Sequence, residues 1–202
     1  MAQVPSHTAV TNGSLARFLM LEGEEQLITA AKQGDADCFG RLYDHYVPPI
    51  YRFIFMKVTN RQEAEDLTHE VFMSAWSHLH RYRSRGFPFS SWLYQIARNR
   101  VIDHYRGKRQ TAPIEAADTE GVVDPVSTEA RIDQNLDLET VRLAMRDLTG
   151  DQQDVVILKF LEDLSHREIA ATLAKSEGAV RLIQHRALNE LRRRLGNINR
   201  EA

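Results

Sequence analysis

Apolar residues recur every three or four positions through almost the whole chain, and this spacing constrains the fold more than any other feature. It is the period of amphipathic helices, and we find no clear apolar–polar alternation of the kind that indicates a half-buried strand. The exception is the segment 108–128, which contains two prolines, Gly121 and many acids without a helical period. We therefore predict an all-α protein of two small helical domains joined by a flexible acidic linker.

The chain length and the position of the acidic segment set the domain boundaries. A chain of 202 residues is long enough for two small helical cores. We predict a flexible N-terminal arm over residues 1–22, a first domain over 23–109, the acidic linker over 110–135 and a second domain over 136–198.

Capping and turn residues predict where helices begin and end. Gly34 ends a first helix that begins at Glu24, and Asp35 caps the second helix. Pro48 and Pro49 lie inside this second helix and are expected to kink or break it. The other predicted starts are at Asn60 with Glu63, Ser90 or Ser91, Thr149 with Gln152, and Ser165 with Glu168.

Charge is distributed unevenly, although the formal net charge is only −2. Basic residues dominate between positions 81 and 109, acidic residues between 115 and 139, and basic residues again beyond 181. Positive segments of this kind are typical of proteins that contact nucleic-acid phosphates.

The first basic segment is interleaved with aromatic residues, a combination that binds single-stranded nucleic acid. Cations follow the phosphate backbone, while aromatic faces stack on unpaired bases. Phe87 and Phe89 lie in a predicted Gly-Pro loop and are the rings we expect to be free, whereas Trp92 and Tyr105 share the helical phase of core residues. The polar face of the helix after this loop contains Gln95, Asn99, Asp103 and Arg106.

A short helix over 165–173, a three-residue turn and a longer helix have the dimensions of a helix-turn-helix. The second helix of such a motif enters the major groove of DNA. Opposite its apolar stripe lie Arg181, Gln184 and His185, which can contact base edges, and the arginines at 192–194 can meet phosphate. Because many solvated helical hairpins share this spacing, the segment alone leaves DNA binding open.

The sequence favours a protein that stays in the cytoplasm. No run approaches the ~18 apolar residues that a membrane-spanning helix needs. The single cysteine, Cys38, lies at a core-facing position, and no His or Cys stands beside it at metal-ligand spacing. We expect no membrane insertion, no metal ion and no cofactor.

The helix predicted after Asn60 resembles a motif of bacterial sigma factors. Residues 65–72 read EDLTHEVF and are followed by Trp76. This segment is similar to the family's polymerase-binding helix, although Thr68 and His69 depart from its usual pattern.

Two further segments resemble sigma-factor motifs, in the order in which the family carries them. Residues 89–99 read FSSWLYQIARN, followed by Asp103, and resemble the helix that recognises and melts the minus-ten promoter element. Residues 164–170 read LSHREIA, followed by GAVR and HRA, and resemble the helix-turn-helix that reads the minus-thirty-five element. One departure lies at Leu182-Ile183, where many members carry Ser-Arg.

The resemblance is to the extracytoplasmic-function group of the sigma-70 family, because the chain has no room for an inhibitory N-terminal region and a folded middle domain. It implies that 23–109 is region 2 and 136–198 is region 4. The implied partners are core RNA polymerase and promoter DNA, with the upstream element as duplex and the minus-ten element as single strand. An anti-sigma factor is a further candidate partner. The acidic linker would either thread the polymerase channel or be a plain tether.

The resemblance also assigns roles to individual residues. Those implied to bind core polymerase are Asp66, Glu70, Phe72 and Trp76. Those implied to recognise and melt the minus-ten element are Arg81, Tyr82, Arg83, Phe87, Phe89, Gln95, Asn99, Asp103, Arg106 and Arg109. Those implied to read the minus-thirty-five element are Ser176, Arg181, Gln184, His185, Arg186 and Arg193.

Two alternative functions compete with this one. A conventional helix-turn-helix regulator would bind duplex DNA without polymerase and use its N-terminal half for sensing or dimerisation. An enzyme such as a metal-dependent nuclease could use His78, His80 or the carboxylates Asp66 and Glu70. It would need three or four converging ligands, whereas His78 and His80 point to different sides of a helix end. We therefore expect a protein without catalytic residues.

Overall fold

The computed structural model describes residues 21–58, 60–84, 86–111 and 143–201, and for 109–111 and 197–201 it describes the backbone only. The described parts contain helices and no strands, which confirms the all-α prediction. The helices are α1 (Glu24–Lys32), α2 (Ala36–Phe55), α3 (Arg61–His78), α4 (Phe89–Thr111), α5 (Gly150–Val156), α6 (His166–Leu173) and α7 (Glu177–Glu201). The predicted N-terminal arm and most of the acidic linker lie outside the described residues.

Helices α1 to α4 form the first domain. α2 contacts α1, α3 and α4, and the most deeply buried side chains of this domain include Leu42, Ile50, Phe53 and Leu93. Burial of each such side chain stabilises the fold by roughly 1.5–3 kcal/mol relative to exposure. A short 3-10 turn, Leu79–Arg81, ends α3 and leads into the basic loop.

Helix α2 runs through both of its prolines, so of the predicted kink or break the break is excluded. Pro48 and Pro49 each remove one backbone hydrogen bond from the helix. However, Pro49 and the next residue, Ile50, are buried, and Phe53 one turn later is fully buried as well. Packing against the neighbouring helices therefore keeps the second half of α2 helical.

Local caps explain most of the other helix ends. Asp35 accepts a hydrogen bond from the backbone N–H of Cys38, and Asn60 accepts one from Glu63, as predicted. The predicted cap at Ser90 or Ser91 is wrong, because α4 already begins at Phe89 and both serines are buried in its first turn. At its other end α4 continues to Thr111, two residues into the segment predicted as linker.

The second domain contains the predicted helix-turn-helix. Thr149 with Gln152 and Ser165 with Glu168 both form reciprocal capping boxes, which start α5 and α6. α7 packs against both of these helices. The turn between α6 and α7 begins at Ala174, which adopts a left-handed conformation with φ of 51°. A residue other than glycine therefore occupies the tight turn of the motif.

A feature that the sequence did not predict is the contact between the domains. Helix α4 of the first domain packs against α6 of the second domain. No helix of the described part of the chain is long and apolar enough to cross a membrane.

A buried carboxylate holds three elements of the first domain together. Glu24, at the start of α1, accepts a hydrogen bond from the Tyr46 hydroxyl of α2 and one from the Phe89 backbone at the start of α4. Burial raises the pKa of Glu24, while the hydrogen bond from Tyr46 opposes the shift. The folded protein therefore holds the Glu24 proton more tightly than the unfolded chain does.

This pKa shift predicts a pH dependence of stability. A raised pKa means that the Glu24 contribution grows as the pH falls towards it, and Glu24→Gln removes this titration while leaving an acceptor for Tyr46. The melting temperature of the wild type relative to Glu24→Gln should therefore rise between about pH 7 and about pH 5. Thermal unfolding followed by circular dichroism measures this difference. A relative fall of the wild type over that range would contradict the assignment.

Candidate functional site

The surface predicted to bind polymerase lies on one side of α3. Asp66 and Glu70 are both exposed, as predicted for carboxylates that meet a basic partner. Their partners within the chain are weak: Gln62 donates a hydrogen bond to Asp66 at 3.0 Å, and Arg100 lies 3.8 Å from Glu70. Both carboxylates are therefore available for a stronger interaction.

An apolar groove lies beside these carboxylates, between α2 and α3. The groove is lined by Ala36, Phe39, Tyr43, His69, Phe72, Met73 and Trp76. The Trp76 ring packs on Phe39 and the Phe72 ring on Tyr43, each with centroids 4.8 Å apart. Met73, which is 53% exposed, is a surface residue that sequence analysis missed. Its helical phase, between Glu70 and Trp76, could have indicated it.

The rings of the basic-aromatic segment form a packed cluster at the start of α4. Tyr82, Phe89 and Trp92 contact one another with centroids 5.0–5.4 Å apart. Tyr82 and Phe89 are buried. Burial is the main cause that raises the pKa of Tyr82, and the nearby negative charge of Glu24 raises it further. The expectation that the Phe89 ring is free in a loop is therefore wrong, because that residue fills the core beneath Tyr46.

The other residues of this segment face outward. Arg81 and Arg83 are exposed, and Phe87 is partly exposed in the loop before α4. The guanidinium of Arg167, from α6, lies 5.7 Å from the centre of the Phe87 ring. Of the two predicted stacking rings, Phe87 alone therefore remains accessible from solvent.

The predicted polar face of α4 is divided between solvent and the second domain. Asn99, Asp103 and Arg106 are exposed, and the last two lie 3.6 Å apart. Gln95 is partly buried, and its amide donates a hydrogen bond of 2.9 Å to the carbonyl of Ala171 in α6. The side chain of Arg109 lies outside the described residues.

The N-terminal part of α7 presents most of the residues predicted to read duplex DNA. Ser176 accepts a hydrogen bond from the Ala179 backbone, and Arg181 is exposed with Glu177 as its partner at 3.3 Å. His185 is exposed as well. Gln184 differs from the prediction of an open reading face, because it is partly buried and bonds to His166 of α6.

Leu182 is a residue that sequence analysis did not assign to this face. Its side chain is 50% exposed, whereas the neighbouring Ile183 packs against the core. Counting 100° per residue from the buried Val180 places Leu182 close to the middle of the outward face. The helical phase of the sequence was therefore sufficient to find an apolar side chain where DNA is expected.

Basic residues continue along the outward face of α7. Arg186 and Arg193 are exposed, and Arg193 forms an ion pair with Glu190 one turn earlier. Hydrogen bonding to Glu190 raises the pKa of Arg193. A phosphate would have to compete with this carboxylate for the Arg193 guanidinium.

The residues weighed for a metal-dependent enzyme do not converge. His78 contacts the carbonyl of Ser74 within its own helix, and His80 accepts a hydrogen bond from Arg81. Within the described ranges, no three His, Cys, Asp or Glu side chains lie close enough to hold a metal ion.

Comparison with known proteins identifies both domains. The family model for Sigma-70 region 2 matches residues 42–111, and the model for Sigma-70 region 4 matches residues 144–193. Region 2 thus covers α2 to α4 except for the first turns of α2, and region 4 covers the helix-turn-helix.

Curated relatives and solved structures agree with these matches. The chain is 35% identical to the ECF RNA polymerase sigma factor BldN of Streptomyces coelicolor, over 84% of this chain and 65% of BldN. It is 32% identical to the ECF sigma factor SigW of Bacillus subtilis, over 85% of this chain and 96% of SigW. Its fold is similar to that of the sigma factor RpoE in a complex with the anti-sigma factor NepR from Bartonella quintana, with a TM-score of 0.66, 24% identity and coverage of 78% of this chain and 96% of RpoE. The chain therefore belongs to the extracytoplasmic-function sigma factors of the sigma-70 family.

Proposed function

We propose that this sigma factor directs core RNA polymerase to its promoters through three surfaces, each of which binds a different partner. The face of α3 with its apolar groove binds core polymerase, the basic loop and α4 bind the minus-ten element, and α7 reads the minus-thirty-five element. The observation that carries the proposal is that each surface lies outside its domain core while belonging to a matched sigma region.

The polymerase-binding surface combines charge with apolar area. Exposed carboxylates at Asp66 and Glu70 steer a basic partner and fix its register, while the groove beside Met73 buries apolar surface on contact. Trp76 lines the groove and is the anchor we expect to contribute most to affinity, whereas Phe72 is 3% exposed and supports the groove from the core.

Opening of the minus-ten element uses the basic loop and the exposed part of α4. Arg81 and Arg83 contact phosphate, and Phe87 stacks on a base that has left the duplex. Asn99 and Asp103 supply hydrogen-bonding groups for the bases. The buried Phe89 and Tyr82 support the loop from below and do not stack on DNA.

The protein acts by binding alone, without catalytic residues, a metal ion or a cofactor. It works in the cytoplasm, where polymerase and promoter DNA are found. An anti-sigma factor is a further partner, and the RpoE–NepR complex supports this expectation because its sigma factor shares the fold. A conventional regulator that binds DNA without polymerase is not favoured, because the relatives named above are sigma factors.

The first test of this function concerns the carboxylates of α3. Asp66→Ala with Glu70→Ala should weaken binding to core polymerase and reduce run-off transcription, while the melting temperature stays nearly unchanged. Exposed carboxylates contribute little to folding, typically about 0–1 kcal/mol, but more to a matched basic surface. The matched control is Glu25→Ala with Asp44→Ala, which removes two exposed acids from α1 and α2. Equal affinity of the two double variants for core polymerase would exclude binding through this face of α3.

A second test separates the stacking ring from the supporting ring. Phe87→Ala should slow promoter opening on duplex DNA but have little effect on a template whose minus-ten region is already mismatched, since stacking offsets the cost of unpairing. Phe89→Ala should instead lower stability by about 3–5 kcal/mol and reduce transcription on both templates. Open-complex formation on the two templates and thermal unfolding give these readouts. Equal losses on both templates for Phe87→Ala would indicate a structural role.

A third test concerns α7. Leu182→Ala should relax a preference for thymine at one minus-thirty-five position, because an exposed apolar side chain can contact the thymine methyl group. Arg181→Ala should relax a guanine preference worth about 1–3 kcal/mol at another position. Arg193→Ala should weaken binding to all DNA sequences alike, and it should lower the slope of log affinity against log salt concentration by about 1.

The measurement is transcription of a randomised minus-thirty-five library at two salt concentrations with each variant. Base preferences that survive both Leu182→Ala and Arg181→Ala but change with Arg186→Ala would mean that a different side of α7 faces the bases.

A further inference from the structure

The loop proposed to capture the minus-ten strand is held at both of its ends by helix α1. This loop, residues 82–88, runs from the 3-10 turn to the first residue of α4. Glu24, at the start of α1, bonds to Phe89 where the loop ends, and Lys32, at the end of α1, bonds to Tyr82 where it begins. Their separation along α1 is about 12 Å in height and about 80° in rotation, so one side of the helix faces both loop ends.

At the start of the loop, Lys32 ties the backbone to the last turn of α1. Its ammonium donates a hydrogen bond of 2.9 Å to the carbonyl oxygen of Tyr82. Tyr82 lies outside the helices, where a backbone carbonyl must find its partner beyond the helical pattern. A charged donor makes a stronger hydrogen bond than a neutral one. The chain is therefore fixed immediately before Arg83, which is exposed.

At the end of the loop, the carboxylate of Glu24 caps α4 from a different helix. Phe89 is the first residue of α4, and the N–H groups of the first turn of a helix have no partner within that helix. Glu24 accepts the hydrogen bond from the Phe89 N–H, and a carboxylate at this end of a helix also interacts favourably with the helix dipole. The buried Tyr46 hydroxyl donates to the same carboxylate, so Glu24 is itself held in place.

Between these two ends the loop leaves the core. The rings of Tyr82 and Phe89 pack with centroids 5.2 Å apart and close the loop at its base. Beyond this base Arg83 is exposed and Phe87 is partly exposed, and Gly86 has a φ of 77°, which glycine adopts at little cost. The positions of Arg83 and Phe87 therefore depend on how the two loop ends are held.

The contacts of α1 with the loop are additional to those that attach α1 to the domain. α1 precedes residues 42–111, which match Sigma-70 region 2. Its apolar side, with Leu27, Ile28 and Ala31, is buried, and this burial accounts for packing against α2. Apolar contact has no preferred direction, whereas a hydrogen bond fixes the geometry of its two partners. The bonds of Glu24 and Lys32 therefore add orientation that apolar packing does not provide.

We propose that Glu24 and Lys32 are positioning residues for promoter opening, and that together they form a strap that orders the loop before the minus-ten strand arrives. A ring that is already in place stacks on an unpaired base with a smaller loss of conformational freedom. Both residues act through the loop and not on the DNA. The role in opening rests on the proposed function of Arg83 and Phe87, whereas the strap itself does not depend on that function.

The main variant is Lys32→Met, which keeps an unbranched side chain of similar helix propensity but removes the donor to Tyr82. Lys32 is half-buried, so water can reach the carbonyl in the variant, and the melting temperature should stay nearly unchanged. The matched control is Lys159→Met in the second domain, because Lys159 is also half-buried and donates to a backbone carbonyl, that of Leu164, at 3.0 Å. Lys32→Arg is the conservative variant, since it retains a cationic donor.

A second pair of variants tests the other end of the strap. Glu24→Gln keeps a side-chain oxygen that can accept a hydrogen bond, whereas Glu24→Ala removes it. Glu24→Ala also removes the partner of the buried Tyr46 hydroxyl, so its circular dichroism must match that of the wild type before it is compared. Lys32→Met decides the test if Glu24→Ala does not fold.

The first readout is the mobility of a nitroxide spin label in electron paramagnetic resonance, which requires neither DNA nor polymerase. The label is attached at Arg83→Cys in a Cys38→Ser background, because Arg83 is exposed and directly follows the tied carbonyl. Lys32→Met should make this label more mobile, whereas Lys159→Met and Lys32→Arg should leave it close to the wild type. An unchanged spectrum in Lys32→Met would overturn the strap.

The second readout is open-complex formation by the holoenzyme on the duplex and mismatched templates used for Phe87→Ala. If the loop of Lys32→Met occupies its binding arrangement about a tenth of the time, opening of duplex DNA should fall about tenfold. The loss should be much smaller on the mismatched template, where the cost of unpairing is absent. Lys32→Arg and Glu24→Gln should keep most of the wild-type activity on both templates.

Two outcomes separate this inference from the function on which it rests. A mobile loop with full opening by Lys32→Met, while Phe87→Ala stays defective, would overturn the positioning role and leave the proposed function intact. Full opening by both Lys32→Met and Phe87→Ala would overturn the minus-ten role of the loop and with it the positioning role. In that case a more mobile label in Lys32→Met would still support the strap as a contact that orders the loop.

Discussion

The arrangement of the whole molecule depends on carboxylates of the second domain that leave water only where the first domain supplies cations. Breaking a buried ion pair by removing one partner typically costs about 3–5 kcal/mol, because the remaining charge stays buried alone. Asp154 and Glu162 therefore accept only an orientation that brings Lys57, Arg98 and Arg52 against them. Separation of the domains would return all of these charges to water, so the ion pairs fix the orientation of the domains more strongly than they oppose separation.

Helix α4 is the element that connects the core of the first domain with the second domain. One side, with Leu93 and Val101, belongs to the core of the first domain. A second side, with Tyr94 and Arg98, meets the second domain. The third side, which includes Asn99, is exposed and belongs to the surface proposed to bind DNA. The three sides of this helix are therefore the core side, the side that contacts the second domain and the proposed DNA side.

The sequence predicted those parts of the fold that depend on local interactions. Helix starts at Asp35, Asn60, Thr149 and Ser165 follow from side chains that bond to a backbone N–H three residues later. Predictions that required knowledge of packing were less accurate. The prolines of α2 do not break the helix. Phe89, which was predicted to lie free in a Gly-Pro loop, is buried.

The candidate site shows the same division between local and distant information. The exposed carboxylates of α3 and the outward face of α7 follow from helical phase, and Leu182 could have been found in the same way. The contact of Arg52 with Glu162 joins residues 110 positions apart, and the periodicity of the sequence gives no information about such a distant pair. The occupation of Gln95 by α6 could not be predicted for the same reason.

The most direct test of the contact between the domains is the distance between them before and after the protein engages polymerase and DNA. In a Cys38→Ser background, fluorophores at Thr29→Cys in α1 and Arg146→Cys in the second domain occupy exposed positions outside the ion pairs between the domains and outside the proposed binding surfaces. Single-molecule energy transfer should give one short distance for the free chain. In the promoter-bound holoenzyme the distance should grow by tens of ångströms, because two elements named for positions about 25 base pairs apart lie about 85 Å apart along B-DNA. A long distance already in the free chain would contradict the contact between the domains, and an unchanged distance would contradict the proposed binding of both elements.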